Sequence, residues 1–122
     1  SFINSQLMAS ISYYDDAEKF YHGYMIGILS QMTGYEIQSN KEQGNGRPDI
    51  VLKPFSPKQP AIILELKRAH KFTQMEGLCD AALEQMEEKR YDAELVEEGY
   101  QIILKYGICF CRKNCMVKIG NH

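Results

Sequence analysis

The chain has 122 residues, of which 44% are hydrophobic and 25% charged, and its formal net charge is −2. This length suits one domain with a single core, and the composition excludes a wholly disordered chain. No apolar run approaches the roughly 20 residues of a membrane helix, and no secretory signal precedes the first predicted helix, so we expect a cytoplasmic protein. Because the chain starts at Ser1 without an initiator methionine, we expect residues 1–122 to be one domain excised from a longer protein.

The apolar pattern predicts helices and strands in a definite order. Residues 17–32 carry apolar side chains at 3–4 spacing, which predicts an amphipathic helix with Asp15 and Asp16 as N-terminal caps. The remaining elements, in chain order, are predicted to be strands at 35–41, 49–54 and 61–67, a helix at 74–90, a short helical turn at 93–98, and strands at 100–111 and 115–119. The apolar run at 61–64 is typical of a central strand that is buried on both faces. The pattern therefore predicts an α/β fold of order α-β-β-β-α-β-β, in which helices flank a sheet of about five strands.

Charge is distributed unevenly along the chain. Residues 41–71 contain seven basic and three acidic side chains, whereas residues 72–100 contain two basic and nine acidic ones. The basic segment could contact phosphates, and the acidic segment suits the solvent-exposed face of a helix. The negative net charge of the whole chain also fits a module that does not cut nucleic acid.

The four cysteines are predicted to be reduced thiols, since nothing indicates export. Cys109, Cys111 and Cys115 form a C-x-C-x3-C pattern that resembles a zinc half-site only loosely, because structural zinc takes four ligands with a pair on a turn. Cys109 and Cys111 instead alternate on a predicted strand. We interpret them and Cys79 as small buried hydrophobic residues.

Asp49, Glu65 and Lys67 are the residues that indicate chemistry. Asp49 follows Pro48 at the start of one predicted strand, and Glu65 and Lys67 lie two apart on the next, so their side chains share one face. If these strands pair, Asp49 and Glu65 can converge on one divalent cation, with Lys67 beside it to orient a water or stabilise negative charge. A carboxylate and an ammonium on a buried strand are costly unless they are paired or bind an ion. A surface Glu–Lys pair at a strand end is the alternative.

The segments 44–52 (GNGRPDIVL) and 62–67 (IILELK) resemble the PD-(D/E)xK nucleases. They are most similar to the version found C-terminal to AAA-ATPase-like modules in bacterial proteins, and the resemblance extends over nearly the whole chain. It implies a restriction-endonuclease-like core with a central mixed sheet. It also implies an N-terminal AAA-ATPase-like domain as partner in the full-length protein.

The resemblance implies roles for five residues. Asp49 and Glu65 are expected to bind Mg²⁺ or Mn²⁺, and Lys67 to be the catalytic lysine. Glu18 corresponds to the acidic residue that many members place on the first helix, as a further metal ligand and catalytic residue; a first-turn glutamate that only favours the helix N-terminus is the alternative. Gln85 corresponds to a helix glutamine that supports the site, with a plain boundary polar residue as the alternative.

Substrate contacts are expected from Arg47, Arg68 and Tyr91, although Arg47 could pair with an acid, Arg68 could be solvated, and Tyr91 could simply pack. Glu42 is either a further ligand or a turn residue, and His22 on the first helix is interpreted as structural.

The sequence thus predicts a nuclease dependent on Mg²⁺ or Mn²⁺ and acting on DNA. The alternative is a non-catalytic nucleic-acid-binding or regulatory module that keeps the nuclease fold beside an ATPase domain. No membrane partner is expected. Homo-oligomerisation through Tyr13, Tyr14 and the first helix stays open. No base-reading element indicates sequence specificity.

Overall fold

The computed structural model describes residues 18–40 and 46–120, apart from the side chains of Glu18 and Lys19. Several features predicted above lie outside this part of the chain: Tyr13, Tyr14, the caps Asp15 and Asp16, the side chain of Glu18, Glu42, and the first two residues of segment 44–52. None of the helices within the described ranges has the length and apolar composition needed to cross a membrane.

The described elements follow the predicted order. The helices are α1 (Glu18–Leu29), α2 (Met75–Glu88) and α3 (Ala93–Glu97), and a short 3-10 turn at Phe72–Gln74 precedes α2. The strands are β1 (Tyr35–Ser39), β2 (Ile50–Pro54), β3 (Ala61–Arg68), β4 (Ile103–Cys111) and β5 (Asn114–Ile119).

The strands form one sheet in the order β1-β2-β3-β4-β5. All neighbours are antiparallel except β3 and β4, which are parallel and are joined through α2. Parallel neighbours need a crossover of a dozen or more residues, and α2 supplies it. β3 is therefore the central strand, and the predicted mixed α/β sheet flanked by helices is confirmed.

Helix α1 covers one face of the sheet. Its Tyr21 and Met25 pack against alternate residues of the three central strands: Ile50, Leu52, Leu64, Leu66, Ile108 and Phe110. The Tyr21 ring stacks on that of Phe110, with ring centroids 4.5 Å apart. Buried His22 places its Nε2 2.6 Å from Oγ of Ser39 on β1, so this histidine links α1 to the edge of the sheet.

Helices α2 and α3 cover the opposite face. Met86 of α2 and Leu95 of α3 pack with Tyr91, which lies between the helices, against residues of β2 and β3: Val51, Ala61 and Ile63. Nearer the start of α2, Met75 and Cys79 pack against Cys109 and Cys111 of β4. On β3 this face carries Glu65 and Lys67, because they alternate with the Leu64 and Leu66 side chains beneath α1.

Gly107 of β4 allows α2 to approach the sheet closely. A Cβ atom at this position would lie 2.6 Å from the backbone oxygen of Cys79 and 3.1 Å from Cβ of Ala82. A glycine inside a strand often marks such a close approach of another backbone. Gly107 is also the direct neighbour of Glu65 across the β3–β4 pair, so this packing lies beside the candidate site.

Two lysines of the sheet hold acidic side chains of the helices. Lys105 of β4 is only 7% exposed, and its Nζ lies 2.9 Å from Oε1 of Glu87 and 3.4 Å from Oδ2 of Asp92. Lys118 of β5 pairs with Asp80 at 3.0 Å and with Glu76 at 3.3 Å. The acidic segment is largely exposed, as predicted, and part of it also fixes α2 to β4 and β5.

The cysteines are free thiols, and Cys79, Cys109 and Cys111 are buried. Burial raises the pKa of the Cys109 thiol to about 12 and that of the half-buried Cys115 to about 11. Thiols with such high pKa values are poor nucleophiles and poor metal ligands. The interpretation as small buried hydrophobic residues is confirmed for Cys79, Cys109 and Cys111.

Several element ends differ from prediction, among them the end of the helix predicted at 17–32, which stops at Leu29. The strand predicted at 100–111 begins at Ile103, because the Tyr100 N–H donates to the Leu95 carbonyl and closes α3 instead. The helix predicted at 74–90 ends at Glu88, and Arg90 adopts a left-handed conformation with φ of 52°.

Candidate active site

The site lies where β2 and β3 separate. Their backbone pairing runs from Leu52–Ile62 to Ile50–Leu64. Beyond this point, the Asp49 N–H donates to Glu65 Oε1 at 3.0 Å, and the Leu66 N–H donates to Asp49 Oδ2 at 2.9 Å. The two carboxylates therefore replace backbone carbonyls as acceptors. They hold the strand ends together and lie side by side, as expected if the strands pair.

Glu65 is a buried acid, only 4% exposed. Burial raises the pKa of its carboxyl to about 7, and the adjacent Asp49 charge adds to the rise, whereas the Asp49 N–H and the Lys67 ammonium act in the opposite direction. A buried carboxylate is costly unless a partner or a cation compensates it. Glu65 therefore titrates near neutral pH, and a cation bound beside it would favour the ionised form.

Lys67 is held by a chain of hydrogen bonds that starts on α2. Its Nζ donates to Gln85 Oε1 at 2.9 Å, and Gln85 Nε2 donates to the Tyr91 hydroxyl oxygen at 2.9 Å. A lysine ammonium can only donate, so the amide of Gln85 must present its oxygen to Lys67 and its NH₂ to Tyr91. Gln85 lies half-buried in the last turn of α2, and its supporting role in catalysis stays a prediction.

Tyr91 closes this chain and is 6% exposed. Burial raises the pKa of its phenol, and the nearby Glu65 charge raises it further, so the hydroxyl stays neutral at physiological pH. Its oxygen is already engaged with Gln85 in this structure. Direct contact between Tyr91 and substrate stays a prediction.

Asp49 and Glu65 are the side chains that could hold a metal ion. Each accepts one backbone N–H, and carboxylate oxygens are the ligands that Mg²⁺ and Mn²⁺ prefer. Within residues 18–40 and 46–120, no group of three or more His, Cys, Asp or Glu side chains is arranged around a common metal position. Glu18, the predicted third acid, starts α1, and the position of its side chain lies outside the described part.

The predicted substrate-binding arginines lie on either side of these residues. Arg47 is exposed and precedes buried Pro48, whereas half-buried Arg68 follows Lys67 at the end of β3. The Nη2 of Arg68 lies 3.3 Å from Nδ1 of His70. The structure thus brings together Asp49, Glu65, Lys67, Gln85 and Tyr91, with the two arginines at the margins.

Sequence analysis gave no site role to Asn40 or Arg90. Both line a cleft of about 250 Å³ between β1, β2 and α3, and Arg47, Pro48 and Tyr91 also line it. The only sequence signal was a Lys-Arg pair directly before Tyr91. The position of Asn40 depends on where β1 ends, which the residue types alone do not reveal.

A larger cavity of about 640 Å³ lies near the end of α2 and is lined by Lys105 and four acids: Glu84, Glu87, Glu88 and Asp92. It includes none of the residues that surround Asp49 and Glu65. Its acidic lining would repel a phosphate, so we do not assign it to the candidate site.

Comparison with known proteins gives one result for the whole domain. A family model described as the PD-(D/E)XK nuclease superfamily matches residues 16–119, which include every element from α1 to β5. No curated protein and no solved structure matches the chain.

Proposed function

Because the chain belongs to the PD-(D/E)XK nuclease superfamily, we propose that it is a metal-dependent nuclease that hydrolyses phosphodiester bonds in DNA. The observation that carries this proposal is the convergence of Asp49, Glu65 and Lys67 at the point where β2 and β3 separate. Buried ionisable groups gathered at a strand end, with a pKa shifted toward neutrality, are typical of catalytic sites.

Asp49 and Glu65, with Glu18 as a further ligand, would hold Mg²⁺ or Mn²⁺. The bound ion would neutralise charge on the phosphate and lower the pKa of an attacking water. The backbone N–H groups of Asp49 and Leu66 fix the two carboxylates before substrate arrives, so little reorganisation is needed.

Lys67 would act directly on the reacting groups. Its link to Gln85 fixes the ammonium without neutralising it, because an amide oxygen carries no net charge. A fixed cation beside a phosphodiester stabilises the negative charge that develops on the phosphate oxygens, and it can orient a water molecule for attack. Arg47, Arg68 and Tyr91 would contact the phosphates on either side of the cleaved bond.

The test is cleavage by purified protein of single- and double-stranded DNA and RNA, with Mg²⁺ or Mn²⁺. Asp49→Asn and Lys67→Met should each lower the rate at least about 100-fold while thermal unfolding stays close to wild type. Lys71→Met is the matched control, because Lys71 is an exposed lysine of the same basic segment and should retain activity. If wild-type protein free of contaminating nucleases leaves every substrate intact with both metals, the proposal fails.

A non-catalytic module that keeps the fold is the second candidate. Its support is that only two carboxylates are described at the site and that α2 presents an acidic surface. Calorimetric titration with Mn²⁺ separates the two functions: binding that Asp49→Asn abolishes favours the nuclease, and the absence of such binding favours the module.

We also propose an AAA-ATPase-like module as partner, on the resemblance of segments 44–52 and 62–67 alone. A change in the cleavage rate of the full-length protein on addition of ATP would support it, and an unchanged rate would refute it.

A further inference from the structure

A second feature beside the candidate site is the cleft between β1, β2 and α3, which we call the α3 cleft. Its lining includes Asn40, Arg47, Arg90, Tyr91 and Glu94. Tyr91 also belongs to the Lys67–Gln85–Tyr91 chain, so the cleft and the candidate active site share this side chain. The volume of the cleft, about 250 Å³, is just below the roughly 300–1,000 Å³ of ordinary ligand pockets. The cleft can therefore hold a ligand of about the size of one nucleotide.

The α3 cleft presents two arginines for an anion. Arg47 and Arg90 are exposed, and neither forms an ion pair with any residue of the described ranges. Lys53, a third cation of the lining, is instead paired with Glu98 at 3.0 Å. Among the described residues of the lining, Glu94 is the one acid, so the charge that these residues carry is positive. Guanidinium groups suit phosphate because their planar array of N–H donors matches two phosphate oxygens.

Asn40 is an independent sign of a ligand. It is 4% exposed, and its Oδ1 has no hydrogen-bond partner among the described residues, although its backbone N–H donates to the Asp49 carbonyl. A buried polar atom without a partner is costly, and native structures hold few of them unless a ligand or water completes the bonding. The free acceptor requires an N–H or O–H donor, which a bare phosphate ion at neutral pH supplies poorly and a nucleoside supplies readily.

We propose that the α3 cleft binds one phosphate-bearing nucleotide of the nucleic-acid strand, adjacent to the bond cut at Asp49 and Glu65. Arg47 and Arg90 bind the phosphate, Asn40 accepts a hydrogen bond from the attached nucleoside, and the apolar side chains of Val51 and Leu95 line its walls. This assignment extends the proposed nuclease function by giving the strand a fixed position relative to the catalytic groups.

Binding measured without divalent metal tests the proposal separately from cleavage. Fluorescence anisotropy of a labelled single-stranded oligonucleotide in EDTA should show about tenfold weaker binding for Arg47→Ala and for Arg90→Asn. Asparagine is chosen because it tolerates the positive φ of Arg90. Each variant should also reduce the slope of log affinity against log salt concentration by about one, because one fewer counterion is released on binding. Lys89→Ala, beside Arg90 but outside the cleft lining, should bind within twofold of wild type.

Two further variants test the direction of the effect. Glu94→Gln should tighten binding, because it removes the acid that opposes the phosphate. Asn40→Leu should weaken binding several-fold without lowering the melting temperature, since it removes a buried polar atom that lacks a partner. Equal binding by Arg47→Ala, Arg90→Asn and Lys89→Ala would refute the proposal. It would also be refuted if each variant that binds more weakly were unfolded at the assay temperature, because unfolding would then explain the weaker binding.

Competition experiments identify the source of the phosphate. A 5′-phosphorylated dinucleotide should displace the oligonucleotide at much lower concentration than inorganic phosphate does, and equal displacement would overturn the nucleotide assignment. Tighter binding of 5′-phosphorylated than of 5′-hydroxyl strands assigns the cleft to a strand end, whereas equal binding assigns it to an internal phosphodiester. Absence of cleavage by the wild-type protein, together with arginine-dependent binding, would refute the nuclease function and leave the assignment of the α3 cleft standing.

Discussion

Replacing Gly107 by alanine tests the close packing of α2 on β4. The added Cβ would lie 2.6 Å from the Cys79 backbone oxygen, whereas ordinary contacts begin near 3.4 Å, so α2 must move by about 0.8 Å. Neither partner can rotate away, because the oxygen belongs to a helix backbone and the Cβ is fixed to a strand. The displacement would also move Gln85, six residues further along α2, away from Lys67.

The energetic cost follows from the size of this clash. Inserting a methyl group into a packed core costs about 1–3 kcal/mol, and a clash with backbone belongs in the upper part of this range. Alanine recovers about 0.4–1 kcal/mol by restricting the unfolded chain, so we expect a net loss of about 2 kcal/mol. An unfolding entropy of about 2.1 cal/mol/K per residue over 122 residues converts this loss into about 8 °C of melting temperature.

The assay is thermal unfolding followed by circular dichroism at fixed pH and salt. Gly77→Ala on α2 is the matched control, because a Cβ there meets no atom within 4 Å and should raise the melting temperature slightly. Cleavage by Gly107→Ala should also fall, although Gly107 is not one of the residues that would contact substrate. A melting temperature within 2 °C of wild type would refute the packing argument.

Three further predictions concern the site. The pKa of Glu65, raised from 4.5 to about 7, gives a stabilisation that is fully present below pH 4.5 and lost as the pH rises through about 7. Glu65→Gln, which cannot ionise, should therefore raise the melting temperature at pH 8 and leave it nearly unchanged at pH 4.5; the reverse pattern in a pH series would contradict this. Tyr91→Phe leaves the Gln85 NH₂ without its acceptor and should cost about 1 kcal/mol in urea unfolding, with a smaller loss of cleavage than Lys67→Met. Saturating Mn²⁺ should raise the melting temperature of wild type but not of Asp49→Asn, and equal shifts would place the ion elsewhere.

The alternation of a strand and the period of a helix predicted much of this arrangement. The two-residue alternation of strand side chains placed Glu65 and Lys67 on one face of the sheet. The 3.6-residue period of the helix placed Gln85 at the border of a buried face. These relations are local, so they can be read from neighbouring residues. The choice of β3 as the central strand also followed from a local signal, the apolar run at 61–64.

Other features could not be predicted because they depend on tertiary contacts. The hydrogen bond from Leu66 to Asp49 exists only because the pairing of β2 and β3 ends at Ile50 and Leu64, one residue from Asp49 and two from Leu66. Likewise, the contact of Gly107 with Cys79 depends on how α2 lies across β4, which residue spacing does not determine.

The two backbone N–H groups that donate to the carboxylates give the site a spectroscopic reporter. In ¹⁵N-labelled protein, the amide resonances of Asp49 and Leu66 sense the charge of the oxygens they bond, so they would follow both the titration of Glu65 and the arrival of a cation. Their hydrogen-exchange rates would show separately whether the strand ends stay closed. An inactive variant could then be assigned to altered chemistry or to separated strands by observing these two amides.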